Sequence, residues 1–334
     1  MTSARSEQID LTATPYYHCI NRCVRRSYLC GIDDYNQRDY SHRKAWVVDR
    51  LKYLAGIFAI KICAYAVLSN HYHVVLHVND KAANQWDEQE VIQRWTSIFP
   101  QDAKENQHLK SKIKQWRERL SSVSWFMRCL NEKIARAAND EDNCKGRFWE
   151  GRFKSQALLD EGALLSAMVY VDLNPVRAGI VKTPEESEFT SIYERIQYIS
   201  QQLKSQEAKP VKQNNGNKAE LYNRLKQPKS LVPFADLSNK TDSIVIDFKL
   251  SDYLELADHT GRIIRENKGS IPEHLTSILN RLQFNTEGWI SLIKQLGSKF
   301  YHAVGSEIYL INFSKNRKRT VKGLKLSKKV YTVA

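Results

Sequence analysis

Two histidines one residue apart, His71 and His73, and a tyrosine four residues before an asparagine, Tyr170 and Asn174, are the side chains here best suited to chemistry. On a strand, alternate side chains share a face, so His71 and His73 can offer their imidazoles to one metal ion. Tyr72, Val74, Leu76 and Val78 then turn to the opposite, core side, and His77 lies further along the histidine face. On a helix, residues four apart share a stripe, so Tyr170 and Asn174 project together with Ser166 one turn earlier. Leu164, Leu165, Met168 and Val171 fill the other side. A phenol becomes a useful nucleophile beside a cation or metal. An amide oxygen added to two imidazoles makes a hard, oxygen-tolerant site suited to Mg²⁺ or Mn²⁺. The structural alternative is two ordinary histidines, a half-buried tyrosine and an Asn-Pro helix stop. Zinc deaminase chemistry is excluded, because it needs His-x-Glu and Pro-Cys-x-x-Cys and neither is present. Cys19, Cys23 and Cys30 follow no zinc-ligand spacing and read as buried free thiols.

A third constellation is Arg147, Phe148, Trp149, Arg152, Phe153 and Lys154, within a run from Gly146 to Leu159 that reads as extended. Cations interleaved with aromatics suit single-stranded DNA, pairing its phosphates and stacking its bases. An amphipathic strand with core aromatics would use the same residues. Charge points the same way. The chain has 334 residues, with 51 Lys plus Arg against 37 Asp plus Glu, for a net charge of +14. That balance favours a polyanionic partner, nucleic acid above all. Residues 315–334 hold eight basic residues and no acid, and read as a solvated basic tail that touches phosphates without reading sequence. A hydrophobic fraction of 42% with 10% aromatics supports a real core. No apolar run approaches the ~18 residues of a membrane span, and the first ten residues lack the apolar centre of a secretory signal. Six cysteines are too sparse for a disulfide scaffold. The expectation is a soluble, cytoplasmic protein, nucleoid-associated.

The elements that must position these residues are legible in outline. Residues 16–21 read as a strand, followed by a basic turn through Arg22, Arg25 and Arg26. Residues 40–56 read as a helix with Trp46, Val47, Leu51 and Leu54 on one face. Residues 61–68 and 71–78 read as strands around a Ser69-Asn70 turn. Residues 79–122 are polar, with helical pieces at 91–99 and 109–120, and read as an insertion. Residues 123–138 form an amphipathic helix. Asp160 is the expected N-cap of a helix from Glu161 to about Leu173, ended by Asn174-Pro175. Residues 201–230 read as a linker, 243–248 as a short strand, and 253–304 as two or three helices. The division expected is a catalytic unit over 1–200, the linker, a small mainly helical unit over 231–314, and the basic tail.

Four blocks occur in order: Tyr-Tyr-His-Cys-Ile-Asn-Arg at 16–22, Leu-Ser-Asn-His-Tyr-His-Val-Val-Leu at 68–76, Gly-Arg-Phe-Trp-Glu-Gly-Arg-Phe-Lys-Ser at 146–155, and Tyr-Val-Asp-Leu-Asn-Pro-Val-Arg-Ala-Gly at 170–179. Together they resemble the single-tyrosine HUH transposases, most closely the REP-associated tyrosine transposase branch. The resemblance implies an α+β, ferredoxin-like core with an antiparallel sheet. It also implies metal-dependent cutting and joining of single-stranded DNA near hairpins, by a monomer or homodimer. Carried over, His71 and His73 fall on the metal-binding pair, Asn174 on the third ligand and Tyr170 on the nucleophile. Arg22, Arg25, Arg26, Arg147, Trp149, Arg152, Phe153, Lys154 and Arg177 would hold the DNA. Ser69 stands where the family usually has proline, residues 79–122 exceed the compact members, and His259 stands where longer members often have tryptophan. Two alternatives share the residues. One is a domesticated hairpin-binding regulator without catalysis. The other is a replication-initiator or relaxase-type nuclease, whose usual helicase the missing Gly-x-x-x-x-Gly-Lys-Ser/Thr loop argues against.

Overall fold

A computed structural model describes residues 8–24, 30–33, 37–104, 109–207, 227–238, 244–266, 273–315 and 322–331. The first element among the described residues is strand β1 (Tyr16–Arg22), whose alternating pattern buries Tyr17 and Cys19 on one face. A two-stranded ribbon, β2 (Ile32–Asp33) and β3 (Arg38–Asp39), leads into helix α1 (Arg43–Ile57). Val47, Leu51 and Leu54 of α1 are buried, as their three-to-four spacing requires. Strands β4 (Ile60–Val67) and β5 (His71–Val78) form a hairpin across Ser69-Asn70. Helices α2 (Asp80–Gln85) and α3 (Glu88–Ile98), a 3₁₀ turn and helix α4 (Leu109–Leu120) come next. The long helix α5 (Val123–Glu141) then returns the chain to strand β6 (Lys154–Leu158).

These strands give a sheet in the order β4-β5-β1-β6 with antiparallel neighbours. A β-α-β-β-α-β sequence of elements with β1 and β5 central is the ferredoxin-like arrangement. The fold is α+β. Directly opposed residues in antiparallel strands share a face, so the register assigns the faces. Tyr72, Val74, Tyr17 and Cys19 face the layer that holds α5: the Tyr72 hydroxyl donates to Asn131 Oδ1 at 2.5 Å, and its ring meets Trp149 edge-on. His71, His73, His18, Arg22, Gln156 and Lys154 occupy the opposite face.

That second face is covered by helix α6 (Glu161–Asp172) and the segment after it. Asp160 caps α6 by accepting from the Ala163 N–H at 2.7 Å, as the sequence predicts. A short turn of helix, α7 (Asn174–Arg177), comes directly after α6, with Pro175 placed where a helix needs no N–H. It closes on Gly179 at φ 69°, where the Gly179 N–H donates to Val176 O and the Ile180 N–H to Pro175 O. This is a left-handed C-cap, and glycine adopts that φ without cost. Helix α8 (Ser191–Glu207) runs into the stretch expected to be a linker. Residues 227–234 then lie along β4, held by the fully buried Arg195, which donates to Gln227 Oε1, Cys63 O and Val232 O.

The C-terminal segment supplies three helices, α9 (Leu250–Glu266), α10 (Glu273–Arg281) and α11 (Thr286–Lys299). Strand β7 (Ala303–Val304) adds in parallel to the β6 edge. Helices α12 (Glu307–Lys315) and α13 (Leu324–Val330) are the last elements among the described residues. One contiguous hydrophobic core runs from β1 through α6 into α11 and Tyr331. The expected strand at 243–248 reduces, among the described residues, to a bridge between Phe234 and Ile246.

Two further expectations change, and the helical pieces expected within 79–122 form. Residues 146–153 are bends around a single bridge from Trp149 to Cys23, and only 154–158 form a strand. Part of the basic tail is folded: α13 buries Val330, and the Ser327 hydroxyl donates to Gly305 O. Its lysines mask Leu326 and Val330, four apart on one side of the helix, which charge counting overlooks. Residues 79–122 build a small helical layer from α2, α3 and α4, with Trp95 stacked on Trp116 at 5.7 Å.

Candidate active site

His71 and His73 extend from β5, and Tyr170 and Asn174 from α6 and α7, about a hundred residues later. The fold brings all four together. The Asn174 amide lies 3.3 Å from His73 Nε2, the two histidine rings are 5.0 Å apart between centroids, and the Tyr170 ring stands edge-on to His73 at 5.7 Å. The Arg177 guanidinium sits over the Tyr170 ring, 4.3 Å from its centroid, which puts a cation beside the phenol. Ser166, on the same stripe, instead bonds its own helix at Ala163 O. His77 packs against Tyr16 and takes no part.

A residue absent from the expected set completes the cluster. His18 of β1 is fully buried, its Nε2 2.9 Å from His73 Nδ1 and its ring 5.9 Å from that of Tyr170. Its Nδ1 is 2.8 Å from Gln156 Oε1, and Gln156 Nε2 donates to Phe300 O at 2.7 Å. His18 stands in the first of the four sequence blocks. Strand alternation puts it on one face with Arg22, but only the β1–β5 register sets that face beside the histidine pair.

Burial holds all three imidazoles below the usual histidine range. Desolvation pushes His18 down to about 4, and desolvation with Arg22 nearby does the same to His71. His73 is pushed further down by burial and then by His18, His71, Arg177 and Arg22. Neutral imidazoles carry the lone pair a metal needs. His71 Nδ1 lies against Asn70 Oδ1 at 2.5 Å, so His71 donates there and keeps Nε2 for a ligand. The donor set of two imidazoles and an amide therefore fits a divalent ion of oxygen-tolerant type. Among the described residues no three His, Cys, Asp or Glu side chains converge as ligands.

Helix α6 is buried on every side, from Gly162 to Asp172. The stripe reading gave it one open face. The structure closes that face with α11: a Cβ on Gly297 would lie 2.3 Å from the Tyr170 hydroxyl, and one on Gly162 would meet the Phe284 ring at 2.7 Å. Asp172 anchors the helix, accepting from Ser191 Oγ, the Ile192 N–H and the Tyr253 hydroxyl. Burial pushes its carboxyl up to about 6 against those hydrogen bonds.

The expected DNA contacts divide. Arg22 and Lys154 are exposed and lie on the histidine face, and Arg152 is exposed nearby in sequence. Arg147 is exposed but turned back on its own loop, donating to Trp149 O and Glu150 O. Trp149 and Phe153 are buried at 8% exposure, and Trp149 Nε1 donates to Asn131 O. Placed so, they pack into the core, as the amphipathic alternative anticipates. Arg25 and Arg26 lie outside the described residues.

No protein-family model matches the chain, and no curated protein matches it. Among solved structures the chain is similar to a REP-associated tyrosine transposase bound to a REP hairpin, at 14% identity and a TM-score of 0.38. The similarity covers 65% of this chain and 93% of that one. Among the described residues no helix is long and apolar enough to cross a membrane.

Proposed function

We propose that this protein cuts and rejoins single-stranded DNA through a covalent 5′-phosphotyrosine on Tyr170. The observation that carries the reading is the meeting of Tyr170 with His71, His73 and Asn174, contributed by three elements, under the cation of Arg177. A divalent ion held by His71, His73 and Asn174 would polarise the scissile phosphate and offset charge developing on it. The Tyr170 oxygen attacks phosphorus, the bond to the 3′ oxygen breaks, and that oxygen takes up a proton in exchange for the one the phenol loses. A free 3′-hydroxyl reverses the step and joins the strands. Bond energy is kept in the phosphotyrosine, so no nucleotide cofactor is needed.

Arg177 stands where it can pair a phosphate presented to Tyr170, and Arg22 and Lys154 line the same face of the sheet. The Tyr170 hydroxyl lies against Gly297 of α11. The four sequence blocks support a hairpin beside the cleavage point. The test is incubation with end-labelled hairpin-bearing single strands and Mn²⁺ or Mg²⁺. The expected result is metal-dependent nicking with a protein–DNA adduct that Tyr170→Phe abolishes. Hairpin binding without nicking would favour the non-catalytic regulator.

A further inference from the structure

We propose that His18 and Gln156 are positioning residues that fix the tautomer and orientation of His73, using a backbone carbonyl of the C-terminal segment as their reference. The inference rests on the metal-site reading of His73 and deepens it. The directions of the hydrogen bonds can be worked out from one end. Phe300 O is a backbone carbonyl and can only accept, so the group 2.7 Å away is the Gln156 amide NH₂. That places Gln156 Oε1, an acceptor, 2.8 Å from His18 Nδ1, which must therefore carry the proton. His18 is then left with a lone pair on Nε2, and the nitrogen 2.9 Å from it, His73 Nδ1, must donate. His73 Nε2 is the bare nitrogen, and it is the one turned to the Asn174 amide.

Every step of the relay is closed from water. His18 is 0% exposed, His73 3% and Gln156 4%. A buried polar group without a partner is costly, so reversing one member would strand the next. The relay also explains three features that a simple core does not. It accounts for a histidine and a glutamine facing each other in β1 and β6. It accounts for the nearly parallel His18 and His73 rings, 15° apart and meeting edge to edge. It makes the C-terminal segment part of the site, because Phe300 comes directly after α11. Ligand-orienting groups of this kind typically change metal affinity by ~10–100-fold when removed.

The test uses the full chain labelled with ¹⁵N-histidine. Long-range ¹H–¹⁵N spectra of the metal-free protein should show His73 protonated on Nδ1. Gln156→Leu and His18→Phe should release it to a mixture containing the Nε2–H form. Mn²⁺ titration followed by electron paramagnetic resonance should show one site in the wild type, weakened ~10–100-fold in both variants. Far-ultraviolet circular dichroism identifies a variant that fails to fold, and Gln156→Glu, which keeps the acceptor for His18 Nδ1, is the second variant. It should keep His73 on Nδ1. An unchanged tautomer in Gln156→Leu and His18→Phe overturns the proposal, as does unchanged Mn²⁺ affinity in variants of a binding wild type. A tautomer switch in a wild type that takes no Mn²⁺ upholds the relay and removes the metal reading.

Discussion

Replacing Gly297 by alanine tests the packing of the nucleophile without any DNA. The added Cβ would stand 2.3 Å from the Tyr170 hydroxyl, whereas ordinary contact begins at 3.4 Å, so the groups must separate by about 1.1 Å. Overpacking of that kind costs ~1–3 kcal/mol. Alanine in a helix returns up to ~1 kcal/mol over glycine. The net loss expected in the wild type is therefore ~1–2 kcal/mol. In Tyr170→Phe the clashing oxygen is gone and the nearest atom becomes the ring carbon at 3.1 Å, which needs only a few tenths of an ångström of adjustment. There the same substitution should be close to neutral. Urea denaturation of the four proteins gives the double-mutant cycle, with an expected coupling of ~1–2 kcal/mol. Equal costs in the two backgrounds, within ~0.3 kcal/mol, would refute the contact and with it the placement of the tyrosine hydroxyl against α11.

Three other outcomes are expected. Asp160→Ala should destabilise by ~2–4 kcal/mol in urea, since Asp160 caps α6 through the Ala163 N–H and also accepts from the Ser306 N–H and the Tyr331 hydroxyl. Metal-free stability should fall as pH drops from 6.5 towards 4. The folded values of His18, His71, His73 and His77 all lie below the unfolded one, so their contribution is present above 6.5 and is lost as pH falls through about 4. Asp172 acts in the opposite sense: its folded value is raised to about 6, so its contribution is present below about 3.8 and lost above 6. Asp172→Asn should therefore steepen the acid loss and His18→Phe should flatten it, as denaturation at several pH values will read. Lys154→Ala and Arg22→Ala should each lower single-strand affinity and reduce the salt slope by roughly 1, measured by fluorescence anisotropy across NaCl concentrations.

Local patterns carried much of this fold. Residues 109–120 and 71–78 form the helix and strand that their periodicity predicts, and Asp160 caps where an aspartate before a helix should. The histidine pair and the Tyr170–Asn174 stripe were legible because both rest on fixed periods of backbone geometry. Their mutual contact was not, since no period links residues a hundred apart, and it entered only through the four-block resemblance. Helix α6 read as amphipathic because Ser166, Tyr170 and Asn174 line one stripe. Its second partner, α11, begins at Thr286, and only tertiary packing shows that this stripe is covered as well. The burial of Trp149 and Phe153 was hidden for the same reason: an interleaved aromatic suits core and nucleic acid alike in sequence. His18 was hidden by register, which alternation along one strand cannot supply.

The most direct measurement is mass-spectrometric mapping of the protein after reaction with hairpin-bearing single-stranded DNA and Mn²⁺. The expected product is a peptide containing Tyr170 bearing a 5′-linked nucleotide, with the released DNA ending in a free 3′-hydroxyl. Nicked DNA whose 5′ end carries no protein, or an adduct on any other residue, would contradict it.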